Sequence, residues 1–311
     1  MGAIKNSGLS TSKFLARDFD RNKYKYLLIT PVVAFFILFA YLPMWGVIIA
    51  FQEYRPHLGI SGSEWVGFRH FQVFFSDPYF LRLLRNTFAI SALNILFGFP
   101  APIILAILLN EVKHTVFKRT VQTVTYMPFF ISMVIICSLI RDFSTSDGIF
   151  SQVAVAFGGE ARNFLMFPQY FWSIHVISGI WETIGWNSII FLAALTGIDP
   201  EQYEAAIIDG AGRFRRIWSI TLPNLIPIIT VLFILRMGGI LNVGFEKIIL
   251  LYNPAIYETS DVISTFVFRR GIEQAAFSFA TAVGLFNSVV NVVFLVTANT
   301  LSRKFTGSSL F

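Results

Sequence analysis

The residues with the most definite local chemistry lie in one polar stretch, Gly197-Ile-Asp-Pro-Glu-Gln-Tyr-Glu-Ala-Ala-Ile-Ile-Asp-Gly-Ala-Gly-Arg-Phe-Arg-Arg-Ile-Trp-Ser-Ile-Thr-Leu-Pro223. Asp199 suits a helix N-cap, Pro200 the first helical position, and Gln202 the third position of a capping box. A short helix is expected to about Ile208. Asp209-Gly210 should break it, because glycine takes the left-handed conformation without penalty. A second short helix is expected from about Gly212 to Ile220, with Thr221 and Pro223 opening the next element. Tyr203, Ala206 and Ile207 fall on one apolar stripe at helical spacing. Ala205, Ala206 and Gly210 are small enough to let another protein approach. Such a piece has no core of its own. Insertion into a partner's groove and contact with a membrane surface explain it equally well on physical grounds.

A second set of residues sits inside apolar runs: Trp181, Glu182, Trp186 and Asn187, then Arg236, then Asn242 and Asn287. Polar groups in such runs are costly and usually face a cavity or a partner helix. Interhelical hydrogen bonding, or interfacial placement of Trp181 and Glu182, is the competing reading. Arg236 and Glu182 could also pair with each other. No metal site is expected: Cys137 is the single cysteine, and His57, His70, His114 and His175 are scattered, without ligand spacing.

The elements that must position these residues follow from composition. The chain has 311 residues, 55% hydrophobic and only 14% charged, with 35 phenylalanines. A soluble domain carries about 25% charged residues. The apolar residues cluster in runs long enough for membrane helices of about 20 residues. The fold class is therefore all-α, a polytopic helical membrane protein with about six spans. These are expected near Leu27–Phe51, Thr87–Leu109 (broken around Phe99-Pro-Ala-Pro102), Val121–Ile140, Phe171–Leu195, Leu225–Leu241 and Phe279–Thr300. Pro31 and Pro43 should kink the first. The first run is too long for a signal peptide's apolar region and lacks a small-residue cleavage site.

The net charge of +6 is an orientation signal rather than a nucleic-acid footprint, so nucleic acid is not an expected partner. Lys5, Lys13, Arg17, Arg21, Lys23 and Lys25 precede the first span. Lys113, Lys118 and Arg119, then Arg213, Arg215 and Arg216, then Arg303 and Lys304 lie on other short segments of the same side. Short basic segments stay in the cytoplasm, which puts both termini there. A basic tail (1–26), a membrane domain (27–302, containing the 198–223 loop) and a C-terminal tail (303–311) are expected. Longer outer segments fall near 52–82, 141–170 and 244–277. In the first of these, Trp65, Phe68, Phe71, Phe74, Phe75, Tyr79 and Phe80 suggest an interfacial aromatic helix or a docking face. Asp77-Pro78 is a cap for the helix that follows.

Glu204-Ala-Ala-x-x-Asp-Gly-Ala211 followed by Ile220-Thr-Leu-Pro223 resembles the EAA loop of permease subunits of binding-protein-dependent ABC importers. The resemblance extends through Tyr41-Leu-Pro-Met44, Ile49-Ala-Phe-Gln52, Trp65-Val-Gly-Phe68, Phe75-Ser-Asp-Pro78, Phe99-Pro-Ala-Pro-Ile103, Leu108-Leu-Asn-Glu111, Phe117-Lys-Arg-Thr-Val-Gln122, Gly185-Trp-Asn-Ser188 and Ala282-Val-Gly-Leu-Phe-Asn-Ser288. These are similar to the carbohydrate branch, in the sub-branch importing complex oligosaccharides. His70 departs from it, where sugar permeases commonly carry Asn.

The resemblance implies a type I importer permease fold in the bacterial cytoplasmic membrane, with a cytoplasmic coupling helix. It implies a heterodimer with a second permease, two cytoplasmic ATPase subunits and an extracytoplasmic sugar-binding protein. No glycine in the chain is followed by lysine, so the usual phosphate-cradling Gly-Lys pair is missing. ATP and Mg are then expected on the partner ATPases, with no cofactor and no enzyme activity on this chain. Tyr203, Glu204, Ala205, Ala206, Asp209, Gly210, Ala211, Arg213 and Arg216 become the ATPase-coupling set. Arg213, Arg215 and Arg216 could equally be membrane-surface anchors. Trp181, Glu182, Trp186, Asn187, Arg236, Asn242 and Asn287 become sugar-path residues, since aromatic faces stack on sugar rings and amides or carboxylates bond hydroxyls. Arg236 would suit an acidic sugar. An ABC permease for another solute is the nearest alternative. An ion-coupled secondary transporter is a further one, which should show more intramembrane acids and an internal repeat.

Overall fold

The computed structural model describes residues 11–307 and 309–310. Lys5 and the start of the basic tail lie outside the described residues. The chain divides into two units, residues 1–68 and 69–311.

The first unit is built on helix α1 (Thr11–Phe36). It continues through a π-helical turn (Ile37–Tyr41), a short turn (Leu42–Met44) and a 3-10 stretch (Trp45–Phe51). The membrane-length apolar part is Arg21–Phe51. Arg21, Lys23 and Lys25 are thus already helical, and the boundary expected at residue 26 falls inside α1. Pro31 lies within α1 without interrupting it. Pro43 is accommodated by the π-turn, in which the Leu42 N–H reaches back to the Ile37 carbonyl. The unit ends in a small antiparallel ladder, β1 (Gln52–Glu53) and β2 (Glu64–Trp65), with Gln52 opposite Trp65. This part of the 52–82 segment is therefore a hairpin, because the strand residues pair locally before any helix begins.

The second unit opens with α2 (Arg69–Phe75), which buries His70 and Phe74. Phe74 is wholly enclosed by Leu83, Ile263, Phe266, Phe279 and Val283, so it is core rather than a docking face. Asp77 caps a turn, not the helix: its Oδ1 accepts from the Tyr79 N–H at 2.8 Å, and α3 starts at Phe80 (Phe80–Leu93). A π-turn (Asn94–Gly98) joins α3 to α4 (Pro100–Glu111). The expected break at Phe99–Pro102 is absent, and residues 80–111 run as one membrane-length helix. The Phe99 N–H bonds the Asn94 carbonyl at 2.8 Å. That wider turn keeps the backbone bonded just ahead of Pro100, which has no N–H.

The third expected span is not straight. Helix α5 (Thr115–Tyr126), capped by His114, leads through a 3-10 turn (Met127–Phe130) to α6 (Met133–Ser144) and α7 (Ile149–Ala156). The two halves meet at 102°, because Ile131 and Ser132 are extended after Pro128. Helix α8 (Pro168–Thr196) is the uninterrupted central helix. It is followed by α9 (Pro200–Ile208) and α10 (Arg213–Arg216), then a π-turn (Ile217–Thr221) and α11 (Leu222–Met237). The expected second short helix is thus the base of the fifth span, which runs 213–237 without a stop at Pro223. Helices α12 (Phe245–Leu251), α13 (Ile263–Phe268) and α14 (Phe277–Thr306) complete the unit. Among the described residues, five helices are long and apolar enough to cross a membrane, or six when the bent pair counts as one span.

Helix α8 packs Phe191 and Leu195 against Ile103 and Ala106 of α4 and Leu225 of α11. Its other flank meets α5 so closely that a Cβ on Gly185 would lie 2.2 Å from the Thr125 carbonyl oxygen. At the far end, Asp261 is 1% exposed and takes Arg269 at 2.5 Å and Arg82 at 3.8 Å. Asn86 donates to the carbonyls of Glu258 and Asp261, which fastens this segment to α3. Gly185→Val is expected to lower stability by about 1–3 kcal/mol, the usual effect of overpacking. A fall in the melting temperature of the detergent-solubilised protein checks it.

Candidate functional site

Two features of the second unit carry the sequence-predicted residues. The first is a cavity of about 780 Å³ among the π-turn Asn94–Gly98, α4, α6, α8, α11 and α12. Glu182, Trp186 and Asn187 of α8, Arg236 of α11 and Asn242 all line it. Helix α8 brings Glu182 and Trp186 to one face because they are four residues apart.

Trp186 stacks flat on Phe129, with ring centroids 4.5 Å apart and planes 2° apart, and Phe130 meets it edge-on at 5.6 Å. These partners lie at the bend of the third span, so the bend backs the Trp186 side chain that lines the cavity. Asn94 adds a third amide to the lining.

The expected pairing of Glu182 with Arg236 is not found. Glu182 Oε2 takes Lys247 Nζ at 3.3 Å, with the two side chains 14% and 5% exposed. Arg236 has no carboxylate within ion-pair reach among the described residues. Lys247 belongs to a segment expected outside the membrane, but α12 turns back among the spans. Its entry is Gly244, at φ +85°, where His175 Nε2 lies 3.0 Å from the Val243 carbonyl oxygen. The sequence carried no signal of this, because Phe245–Leu251 is seven residues long and includes Glu246 and Lys247. Gly179 lies against the ammonium: a Cβ there would sit 3.6 Å from Lys247 Nζ, an ordinary contact.

Two of the sequence-predicted residues lie elsewhere. Trp181 faces a separate apolar pocket with Leu139, Phe143, Phe150 and Ile177. It is one helical step from Glu182 and so points to another side of α8. Asn287 does not line the cavity; its Oδ1 is buried without a hydrogen-bond partner among the described residues.

The second feature is the 198–223 loop. Asp199 caps α9, accepting from the Glu201 N–H at 3.0 Å, with Pro200 at the first position. The expected capping box is not completed, because the Gln202 side chain accepts instead from Asn224 Nδ2 at 3.3 Å. At the far end, the Ala211 N–H bonds the Ala206 carbonyl and the Gly210 N–H bonds that of Ile207. Gly210 has φ +75°. This double closure is the Schellman ending that glycine favours.

The expected stripe is split. Tyr203 and Ala206 turn inward, whereas Ile207 is 55% and Ile208 86% exposed. Glu204, Ala205, Asp209, Arg213 and Phe214 are exposed, and Ala211 is half-buried. Arg216 is half-buried with its Nε shielded from solvent, so it packs against the chain while Arg213 and Arg215 project outward.

Residues 98–307 match the family described as binding-protein-dependent transport system inner membrane component. The chain belongs to that family. It is 49% identical to protein LplB of Bacillus subtilis over 98% of this chain and 95% of that protein. It is 47% identical to the polygalacturonan/rhamnogalacturonan transport system permease protein YteP of the same organism, covering 92% and 89%. Its structure is similar to a chain in the crystal structure of a bacterial ABC transporter involved in the import of the acidic polysaccharide alginate. The TM-score there is 0.87 with 42% identity, over 94% of this chain and 99% of that one.

The permease therefore presents an exposed short helix at one end of its spans and a polar, aromatic cavity among them. Among the described residues, the buried Lys247–Glu182 pair alone ties α12 to α8 by charge. Lys247→Met would leave the Glu182 carboxylate without its cation. The expected loss is about 3 kcal/mol, the low end for breaking a buried pair, because the cavity lets water reach Glu182. Glu182→Gln combined with Lys247→Met should recover most of it, as thermal unfolding in detergent would reveal.

Proposed function

We propose that this permease is one of two membrane-spanning subunits of an ATP-driven importer of oligosaccharides released from polysaccharides. The observation that carries the proposal is the cavity lining. A tryptophan face backed by a stacked phenylalanine stands among Asn94, Asn187, Asn242 and the Glu182–Lys247 pair. Sugars present C–H faces and a ring of hydroxyls; the aromatic wall suits the first, and amide and charged groups suit the second. The names of the similar proteins, which concern polygalacturonan, rhamnogalacturonan and alginate, support the same substrate class.

In this reading Trp186 is the stacking platform, and Glu182, Asn187, Arg236 and Asn242 bind hydroxyl or carboxylate groups. Another similar solved structure is that of the bacterial alginate ABC transporter in complex with an alginate pentasaccharide-bound periplasmic protein. That supports an extracytoplasmic binding protein as the partner that delivers sugar here. The second permease subunit completes the path.

Helix α9 is the coupling helix. Ala205 and the exposed Ile207 and Ile208 seat in a cytoplasmic ATPase subunit, Glu204, Arg213 and Arg215 give it polar contacts, and Asp209-Gly210-Ala211 fixes the turn. Two ATPase subunits hold ATP and Mg, as the sequence of this chain lacks a phosphate-cradling Gly-Lys pair, and this chain is not itself an enzyme. Six spans, with the bent pair taken as one, leave both termini on the same side, and the basic short segments support the cytoplasm of a bacterial cell as that side. ATP-driven closure of the ATPases draws the coupling helices together, and the spans turn between inward and outward packings.

Proteoliposomes containing the whole transporter, supplied with binding protein and with oligogalacturonide or oligoalginate mixtures, test the cavity. Trp186→Ala should reduce uptake at least tenfold while the ATPase subunits remain bound, in keeping with about 1.4 kcal/mol per tenfold. Parental uptake by that variant would sink the sugar-path assignment. Gly210→Val should insert in the membrane yet lose coupled ATP hydrolysis, because the β-branched residue is strained at positive φ.

A further inference from the structure

Helix α9 has no buried residue, so apolar packing does not hold it in place. Its covalent joint to α10 contains Gly210 and Gly212, and nothing lies within 4 Å of a Cβ built on either. A push delivered through that joint alone would be absorbed by turning of the backbone.

A side-chain bond bypasses the joint. The Tyr203 hydroxyl lies 3.0 Å from Thr221 Oγ1, and Gln202 Oε1 accepts from Asn224 Nδ2 at 3.3 Å. Thr221 is fully buried and is the last residue of the π-turn at the root of α11. Its hydroxyl has no route to bulk water, so the bond to Tyr203 is not readily exchanged for hydration. The same helix carries Leu232 and Arg236 of the cavity wall. From Thr221 to Arg236 is about 22 Å along a helix rising 1.5 Å per residue.

We infer that the Tyr203–Thr221 hydrogen bond is the strut that makes α9 and α11 move as one body, carrying displacement of the coupling helix to the cavity wall. The inference rests on the coupling-helix reading of α9. Tyr203 and Thr221 are positioning residues in it, and neither needs to touch substrate or nucleotide.

The test uses the complete transporter with a cysteine introduced at Leu232. A membrane-impermeant maleimide is the probe, and its labelling rate is compared without nucleotide and with Mg-ATP trapped by vanadate. ATP should change the rate in the Leu232→Cys parent. Thr221→Val removes the hydroxyl at nearly constant volume, and the ATP-dependent change should shrink by about threefold to tenfold, the equilibrium effect of one ordinary hydrogen bond. Tyr203→Phe should do the same, the double variant should do no more than either single one, and Thr221→Ser should restore the response.

A full ATP response in Thr221→Val, or losses that multiply in the double variant, would overturn the strut. Absence of any response in the parent, or failure of the parent to co-purify with its ATPases, would overturn the coupling-helix reading and the strut with it. Retention of the ATPases by Thr221→Val with a weakened response separates a transmission defect from a loss of assembly.

Discussion

The constraint on which the rest depends is that a backbone in lipid must satisfy its own hydrogen bonds, in a chain that places prolines inside its membrane helices. Three π-helical turns meet it in the same way. The N–H of Leu42 reaches Ile37, that of Phe99 reaches Asn94, and that of Leu222 reaches Ile217. Each donor immediately precedes a proline: Pro43, Pro100 and Pro223. Proline lacks the donor and its ring crowds the carbonyl four residues back; widening the preceding turn relieves the crowding without ending the helix. A fourth π-turn, Arg269–Glu273, precedes no proline and leads instead to Ala275 at φ +54°.

Continuity at those three places has consequences for function. Residues 80–111 remain one helix, so Asn94 and Pro102 stay on the cavity wall. The second arm of the 198–223 loop is rigidly part of the fifth span, so whatever acts on that arm acts on Arg236 as well. Where Ile131 and Ser132 instead become extended, the third span bends by 102°, and the aromatic residues at the bend turn toward Trp186. At three prolines the helices stay continuous, and the turn after Pro128 brings Phe129 and Phe130 against Trp186.

Three ion pairs among the described residues join elements distant in sequence: Lys247–Glu182, Arg82–Asp261 and Arg270–Asp77. Lys247–Glu182 ties α12 to α8, and Asp261 gathers Arg82 and Arg269 at the far end of the bundle. In a medium that solvates ions poorly, each of these carboxylates fixes where a loop can go. The cavity lies between such a tie and the aromatic wall, with Arg236 on its remaining side.

The sequence by itself determined the class of the molecule, the existence of its spans and the local form of α9. Apolar run length is a one-dimensional property, and Asp199, Pro200 and Gly210 act on their immediate neighbours through capping and allowed φ. It also placed Glu182, Trp186, Asn187, Arg236 and Asn242 among the residues to watch, because intramembrane polarity is visible without a structure. Only the tertiary structure decided which of them share a cavity. Trp181 is adjacent to Glu182 in sequence yet faces another pocket, and Asn287 lies apart. Lys247, sixty-five positions from its partner, looked like an outer-loop cation. Rotation of a helix about its axis, and the packing of the short α12 against α8, are set by contacts with distant segments. Spacing along one chain does not encode those contacts locally.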